Sequence, residues 1–291
     1  MTSPRDWWDG ARPRTLPAAV APVLVGTAAA QAAGGFDPVR SLLALGVALA
    51  LQVGVNYAND YSDGVRGTDQ VRVGPRRLVA SGAAAPAQVR AAAYLCFAVA
   101  AGLGLVLVAL TQQWWLLAVG ALAVLAAWGY TGGRTPYGYR GLGEVSVFVF
   151  FGLVATVGTT YVQVLAVTGP SVLGGVAVGA LASAILVANN LRDRPTDART
   201  GKHTLAVRLG DRRTRALFAG LYAVAAAATL ALALLGWPWA LLALACLPWA
   251  LRALRPVLRG ATGPALVPAL ADTARAELVL ALGLALGLVL G

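Results

Sequence analysis

The sequence predicts an all-α, polytopic membrane protein whose helices, about nine of them, form a single bundle. Of the 291 residues, 58% are hydrophobic and only 12% are charged, and the mean hydropathy is +0.71. Apolar runs long enough to cross about 30 Å of hydrocarbon recur from Thr15 to the last residue. Such a chain cannot cover itself with polar groups in water. We therefore expect one transmembrane domain over residues 1–291, without a soluble appendage.

Hydropathy windows place the individual helices, which are separated by polar or tryptophan-containing turns. Alanine and glycine are abundant in these windows, with 34 glycines in the chain. Small residues let membrane helices approach closely, which favours a compact bundle. The predicted helices cover residues 15–33, 40–58, 90–110, 114–131, 143–167, 171–190, 215–235, 238–254 and 273–291.

The positive charges predict the orientation of these helices. If the N-terminus is inside, all but Arg40 of the 23 lysines and arginines face the cytoplasm, as the positive-inside rule requires. The net charge of +11 is then explained by topology and by contact with anionic lipid head groups, without any nucleic acid partner. We expect a multi-pass protein of the bacterial cytoplasmic membrane with its active site on the cytoplasmic side.

Five of the 12 acidic residues lie in two short segments, at the predicted cytoplasmic ends of the second and sixth helices: Asp60, Asp63, Asp69, Asp193 and Asp197. The first segment contains Asn56, Asn59, Asp60 and Asp63. If the helix continues through it, these residues stand at i, i+3, i+4 and i+7. The spacing therefore predicts one polar stripe on a single helix face.

The second segment runs from Asn189 and Asn190 to Asp193 and Asp197. The two aspartates are one helical turn apart, but Pro195 between them disfavours helical geometry, so Asp197 belongs either to the same helix or to a following loop. The spacing of Asn189 and Asp193 repeats that of Asn59 and Asp63, which indicates a faint internal repeat. We expect the two carboxylate groups to face one cavity.

Clustered carboxylates at a membrane edge repel one another, and each costs several kcal/mol if buried unpaired. Paired hard oxygen ligands suit Mg²⁺, which keeps waters and accepts its other ligands from a substrate phosphate. The sequence therefore predicts Mg²⁺ as the cofactor, held between the two acidic segments. The competing interpretation is a salt-bridged loop without chemistry.

The segments 59–89 and 191–214, which we expect to cap the active site, also supply cations for a diphosphate. Lys202 is the only lysine beside 22 arginines in the chain. Since arginine would satisfy any general need for positive charge, Lys202 is a candidate point-charge contact to phosphate. The arginines of these segments include Arg66, Arg72, Arg76, Arg77, Arg192, Arg194 and Arg199.

With these motifs the chain resembles the UbiA-type intramembrane prenyltransferase superfamily, whose members have nine spans and carry N-D-x-x-D-x-x-x-D and D-x-x-x-D motifs on the second and sixth. Asn59, Asp60 and Asp63 match the first motif. Its third aspartate would fall on Gly67, and Asp69 follows two residues later. Asp193 and Asp197 match the second motif.

Residues 11–18, 59–69 and 201–210 resemble, within this superfamily, the 1,4-dihydroxy-2-naphthoate polyprenyltransferases of menaquinone biosynthesis. The resemblance implies Mg²⁺-dependent transfer of a polyprenyl group from polyprenyl diphosphate to this aromatic acid. The product would be a demethylmenaquinone, formed with loss of the acceptor carboxylate. Alternative acceptors in the superfamily are 4-hydroxybenzoate, homogentisate and a tetrapyrrole.

The resemblance also implies roles for individual residues. Mg²⁺ ions would neutralise the leaving diphosphate, with Lys202 beside them. Their ligands would be the motif aspartates Asp60, Asp63, Asp193 and Asp197. Aromatic faces would stabilise the allylic cation, an arginine would hold the acceptor carboxylate or the diphosphate, and Glu144 is either a base or the partner of Arg140. The predicted substrate contacts are Asn56, Asn59, Arg14, Arg66, Arg77, Tyr61, Arg134, Tyr137, Tyr139, Arg140 and Asn190.

Two other classes of membrane protein also use intramembrane acids. A secondary transporter usually binds its substrate near the bilayer midplane on broken helices, whereas these acids lie at helix ends on one side. A CDP-alcohol phosphotransferase needs D-G-x-x-A-R, and the segment from Asp63 to Arg66 lacks the alanine–arginine pair. The transporter is therefore the stronger alternative from another class.

Overall fold

A computed structural model of the chain describes residues 2–67 and 77–291, and it confirms the all-α membrane bundle. A π-helix, Phe148–Val154, joins α6 to α7. Short 3₁₀ segments lie at Pro13–Thr15, Tyr137–Arg140, Pro238–Cys246 and Gly263–Leu266. The α-helices of the described residues are α1 (Pro4–Ala11), α2 (Pro17–Ala32), α3 (Pro38–Arg66), α4 (Pro86–Thr111), α5 (Leu116–Gly129), α6 (Gly143–Val147), α7 (Ala155–Val164), α8 (Gly169–Arg199), α9 (Leu205–Leu234), α10 (Leu247–Leu258) and α11 (Val267–Leu290).

Seven helical segments of the described chain are long and apolar enough to cross a membrane. An eighth is added if the pair Pro4–Thr15 and Pro17–Ala32, bent by 50°, forms one span. Helix α5 lies where the fourth span is predicted, but its 14 residues fall short of the roughly 20 that a full crossing needs. The number of nine spans therefore stays a prediction.

Both acidic motifs lie on helices that run further than the hydropathy windows indicate. Helix α3 continues to Arg66, where Gly67 ends it with a φ of 73°, a left-handed conformation that glycine adopts without a steric penalty. Helix α8 continues through Pro195 to Arg199. The loop alternative for Asp197 is therefore wrong, and Asp193 and Asp197 share one helix.

Helices α2 and α8 to α11 pack around one continuous core, here called the packed half. One close contact of the packed half joins α11 to the 3₁₀ segment Pro238–Cys246. A Cβ atom added to Gly287 would lie 2.3 Å from the Trp239 carbonyl oxygen, and one added to Gly283 would lie 2.5 Å from the Ala243 backbone. Glycine is required at this helix contact because no side chain fits there.

Helices α3, α4, α5 and the α6–α7 segment, with one side of α2, line an apolar cavity of about 850 Å³. These elements are here called the hollow half. Helix α5 contributes to the cavity wall although none of its residues is buried. A Cβ atom added to Gly104, Gly120 or Gly158 would meet nothing within 4 Å. These three glycines therefore widen the cavity and do not bring helices into contact.

The C-terminal ends of α3 and α8 meet at one end of the bundle, here called the site end. The Lys202 ammonium lies 3.1 Å from an Asp63 carboxylate oxygen, and Arg66 donates to the carbonyl oxygens of Thr131 and Gly133. The Tyr57 hydroxyl donates to the Trp7 carbonyl oxygen at 2.9 Å and fixes α1 beside α3. The two acidic motifs are thus held at the same end of the molecule.

Candidate active site

A polar pocket of about 120 Å³ lies at the site end and adjoins the apolar cavity. Asn59, Tyr130 and Leu186 line both spaces. A molecule with a charged head and an apolar tail could therefore occupy the two spaces at once, with its head–tail junction beside these three side chains.

Helix α3 contributes Asn59 and Asp63, one helical turn apart, to the polar pocket. Asp63 is only 2% exposed. One of its carboxylate oxygens accepts a hydrogen bond from the Tyr139 hydroxyl, and the other accepts from the Lys202 ammonium. The Asn59 side-chain oxygen accepts from the Thr131 hydroxyl at 2.7 Å. Both side chains are thus held in fixed orientations by groups from other elements.

Helix α8 contributes Asn189, Asn190 and Asp197. The Asn190 side-chain nitrogen donates to a Glu144 carboxylate oxygen at 2.9 Å. The side-chain oxygen of Asn190 is therefore the atom that can act as a ligand in the pocket. Arg140 is exposed, and Glu144 pairs with Asn190 and not with Arg140. One aspartate from each motif, Asp63 and Asp197, therefore reaches the same pocket.

The other two predicted metal ligands do not line this pocket. The Asp60 oxygens accept hydrogen bonds from the backbone N–H groups of Leu78 and Val79, at 2.8 and 3.0 Å. The Asp193 oxygens accept from the Arg192 guanidinium, at 2.6 and 2.7 Å. The structure thus divides the four aspartates into two that line the pocket and two that do not.

Across residues 2–67 and 77–291, no group of three His, Cys, Asp or Glu side chains is close enough to hold a metal ion by itself. The pocket nevertheless offers the carboxylates of Asp63 and Asp197 and the carboxamide oxygens of Asn59 and Asn190. Hard oxygens in this small number fit Mg²⁺, which commonly keeps several waters and takes further ligands from a phosphate. The donor set suits a metal that is bound together with its substrate.

Three cationic side chains, Arg12, Arg77 and Lys202, also line the polar pocket. The Lys202 nitrogen lies 4.7 Å from the centre of the Tyr139 ring, a cation–π distance. Arg77 and Lys202 were predicted as substrate contacts, whereas the sequence pointed to Arg14 in place of Arg12. The left-handed backbone of Arg12, with φ 54° and ψ 68°, lies at the junction after α1, and no sequence period reveals which arginine turns inward.

Asn56 and Tyr137, predicted as substrate contacts, line the apolar cavity. The Tyr137 hydroxyl donates to the Ala126 carbonyl oxygen at 2.7 Å. Burial raises the pKa of Tyr137, so its hydroxyl keeps its proton at neutral pH. Asn56 donates to the Ala11 carbonyl oxygen at 2.9 Å. Both residues thus shape the cavity near its polar end.

The remaining predicted contacts line neither space. Arg66 binds backbone carbonyls, and Tyr61 stacks on Trp128 with ring centroids 6.2 Å apart. Both therefore stabilise the site end from outside the pocket. The other three of these predicted contacts are exposed: Arg14, Arg134 and Arg140. Three residues of the sequence interpretation lie outside the described residues: Asp69, Arg72 and Arg76.

Comparison with known proteins agrees with the motifs. Residues 19–265 match the UbiA prenyltransferase family. The 1,4-dihydroxy-2-naphthoate octaprenyltransferase of Mycobacterium tuberculosis is 55% identical over 291 residues, which covers 100% of this chain and 99% of that relative. The protein of the same name from Escherichia coli is 38% identical and covers 98% of this chain and 95% of its own.

Two solved structures share the fold at low sequence identity. A UbiA homolog from Archaeoglobus fulgidus bound to DMAPP and Mg²⁺ superposes with a TM-score of 0.64 at 16% identity, covering 97% of this chain and 98% of that chain. The apo structure of a UbiA homolog from Aeropyrum pernix K1 gives a TM-score of 0.69, also at 16% identity, covering 94% and 97%. At this identity the likeness establishes the fold alone.

Proposed function

The chain belongs to the UbiA prenyltransferase family, and we propose that it transfers a polyprenyl group from polyprenyl diphosphate to 1,4-dihydroxy-2-naphthoate. The names of the relatives at 55% and 38% identity support this acceptor. The observation that carries the proposal is the shared wall of Asn59, Tyr130 and Leu186 between the polar pocket and the apolar cavity. A prenyl diphosphate has the same division between a charged head and an apolar tail.

The diphosphate of the donor binds in the polar pocket, where Arg12, Arg77 and Lys202 offer cationic donors. Arginine presents a planar fork to phosphate oxygens, whereas lysine presents a compact charge. The polyprenyl tail lies in the cavity of about 850 Å³, where burial of its apolar surface stabilises the complex. The scissile carbon–oxygen bond is thereby placed at the shared wall.

The Asp63 and Asp197 carboxylates, with the Asn59 and Asn190 carboxamides, would hold Mg²⁺ together with the diphosphate. When bound there, Mg²⁺ supplies electrostatic stabilisation of the charge that develops on the leaving diphosphate. Lys202 holds the Asp63 carboxylate at 3.1 Å and adds a second positive charge to the same region. This preorganisation lowers the cost of breaking the carbon–oxygen bond, because the charges need no reorientation during the reaction.

The allylic carbon left by the diphosphate is attacked by the electron-rich acceptor ring beside Tyr130 and Tyr137, whose ring centroids are 5.6 Å apart. Aromatic faces favour a nearby cation, and the apolar cavity excludes the water that would otherwise capture it. A carbon–carbon bond forms as the donor carbon–oxygen bond breaks. The acceptor carboxylate leaves as carbon dioxide, and its bonding electrons restore the aromatic ring.

The family assignment decides against the transporter alternative, since the relatives are prenyltransferases. The apolar helices make the chain an integral membrane protein. We further propose that the N-terminus and the site end face the cytoplasm, because nearly all of the basic residues would then lie inside. Single cysteines introduced at the exposed residues Ser81 and Arg259 test this orientation in intact cells. A membrane-impermeant thiol reagent should label neither position, and labelling of both would contradict the orientation.

The decisive experiment is an assay of the purified protein with labelled octaprenyl diphosphate, Mg²⁺ and four acceptors. We expect a prenylated product and release of carbon dioxide with 1,4-dihydroxy-2-naphthoate. We expect no product with 4-hydroxybenzoate, homogentisate or a tetrapyrrole. Chelation of Mg²⁺ should abolish turnover, and added Mg²⁺ should restore it. Product with 4-hydroxybenzoate instead of the naphthoate would overturn the acceptor assignment while leaving the family assignment intact.

A further inference from the structure

Asp60 is the most completely buried carboxylate of the first motif, with no exposed surface. Its two oxygens accept hydrogen bonds from two consecutive backbone N–H groups, those of Leu78 at 2.8 Å and Val79 at 3.0 Å. Successive backbone N–H groups that converge on an anion form a well-known binding geometry for negative charge. Both carboxylate oxygens of Asp60 are therefore engaged by the protein itself.

The polar stripe of α3 separates into two rows when the neighbouring elements are considered. Asn59 and Asp63, four residues apart, line the polar pocket. Asn56 and Asp60, also four residues apart, bind backbone groups of other segments: the Ala11 carbonyl oxygen and the N–H groups of Leu78 and Val79. The second row thus fastens the chain around the pocket and does not line it.

Arg77 immediately precedes the two N–H groups that Asp60 binds, and it lines the polar pocket. Leu78 is 2% exposed and belongs to the core cluster that contains Tyr57. A Cβ atom added to Gly10 would lie 2.6 Å from the Leu78 side chain. The position of Leu78 is thus fixed by apolar contacts on one side and by Asp60 on the other, and the direction of Arg77 follows from both.

We propose that Asp60 is a positioning residue, not a metal ligand, and that its carboxylate holds the Leu78–Val79 backbone so that Arg77 faces the diphosphate. The inference rests on the proposed function of the pocket, since that function puts a diphosphate beside Arg77. It reassigns one of the two adjacent polar residues at the start of the first motif. Asn59 faces the pocket, and Asp60 holds the Leu78–Val79 backbone next to Arg77.

The substitution Asp60→Asn separates this role from metal binding. A carboxamide has one acceptor oxygen, and its NH₂ group would face the second backbone N–H, so at least one of the two hydrogen bonds is lost. We expect the amides of Leu78 and Val79 to lose protection in hydrogen exchange. The matched variant Asp63→Asn, one turn away on the same helix, should leave these two amides protected.

Binding of inorganic diphosphate at fixed Mg²⁺ provides a second measurement that requires no prenyl transfer. Asp60→Asn should weaken this binding by about 10-fold, which is the effect of losing one charge-assisted contact. The Mg²⁺ concentration that gives half-maximal diphosphate binding should stay unchanged. Arg77→Gln should weaken it similarly, and the double variant should be no weaker than either single one. Asp63→Asn should instead raise the Mg²⁺ requirement.

The inference is overturned if Asp60→Asn raises the Mg²⁺ requirement as Asp63→Asn does, or if the Leu78 and Val79 amides keep their wild-type protection. It is also overturned if Asp60→Asn and Arg77→Gln weaken diphosphate binding additively. Failure of the proposed function gives a different result: the protein would bind diphosphate with the expected variant pattern yet form no product with any acceptor.

Discussion

In the packed half, Gly283 and Gly287 lie against the backbone of the segment Pro238–Cys246, whereas in the hollow half Gly104, Gly120 and Gly158 face open space. These two sets of glycines therefore serve opposite purposes. In one they remove volume so that helices can touch, and in the other they leave volume for an apolar guest. The comparison teaches that a small residue in a membrane helix reports a close approach only when a neighbouring helix fills the space.

Charged side chains show a similar division at the site end. Asp63, at the mouth of the hollow half, lies in the polar pocket. Asp211, at the same end of the packed half, forms an ion pair with the Arg215 guanidinium at 2.6 Å, and Arg215 also donates to the Val257 and Ala261 carbonyl oxygens. The first carboxylate lines the pocket, and the second holds Arg215, which fastens α9 to the end of α10 and to the segment after it.

The largest expected effect is the loss of prenyl transfer in Asp63→Asn. The variant keeps the side-chain shape but removes the negative charge, so we expect kcat to fall by about 10³-fold or more. Rates of folded, monodisperse protein with labelled octaprenyl diphosphate measure it. The matched control Asp211→Asn should retain activity. Full activity of Asp63→Asn would show that the active site is not in this pocket.

The next largest effect is a difference in stability between two identical substitutions. Gly287→Leu forces a side chain against the Trp239 carbonyl oxygen and should destabilise the protein by about 3 kcal/mol or more, because overpacking displaces backbone. Gly158→Leu adds the same atoms to open space and should change stability by less than about 1 kcal/mol. Thermal unfolding in one detergent compares them, and equal destabilisation would contradict the division into halves.

A third test concerns the length of the tail cavity. Gly158→Phe places a ring in the apolar cavity, so we expect the preference for long over short prenyl diphosphates to fall by about 10- to 100-fold, measured as a ratio of kcat/KM. Transfer of a short prenyl group should continue at nearly the wild-type rate. Unchanged preference across chain lengths would place the tail elsewhere and would contradict this use of the hollow half.

The smallest expected effect lies inside the packed half, at Glu277. This side chain on α11 is fully buried, and neither carboxylate oxygen has a hydrogen-bond partner within the described chain. Replacement by an apolar side chain of similar volume, Glu277→Met, should raise stability by about 1 kcal/mol and leave prenyl transfer unchanged. A loss of transfer with unchanged stability would show instead that Glu277 serves the reaction.

Much of the architecture could be predicted from the sequence because hydropathy is a local property. The apolar windows locate the helical segments, and the i, i+3, i+4, i+7 spacing correctly puts Asn56, Asn59, Asp60 and Asp63 on one helix. The helix ends were less predictable, since the polar ends of α3 and α8 carry little hydropathy signal. Pro195 also suggested a loop at Asp197, but α8 continues through it. A proline near a helix end removes only one backbone hydrogen bond, so the helix can tolerate it.

The site was predicted in part. The spacing identified both motifs, and the single lysine identified Lys202, which does lie in the polar pocket. The spacing could not tell which aspartate of each pair faces the pocket, because neighbours on one helix differ only by a rotation about its axis. The partners that decide this, Leu78 and Val79 for Asp60 and Arg192 for Asp193, carry no mark in the sequence.

By itself, the sequence determined that this protein is a helical bundle in a membrane and that two acidic motifs lie near the ends of two of its helices, since hydrophobicity and helical period act over short stretches of chain. Only the tertiary structure decided that Asp63 and Asp197 share a pocket, that Asp60 binds backbone N–H groups, and which glycines touch a neighbour. These outcomes depend on where segments distant in the sequence meet, and a local pattern contains no information about the opposing surface.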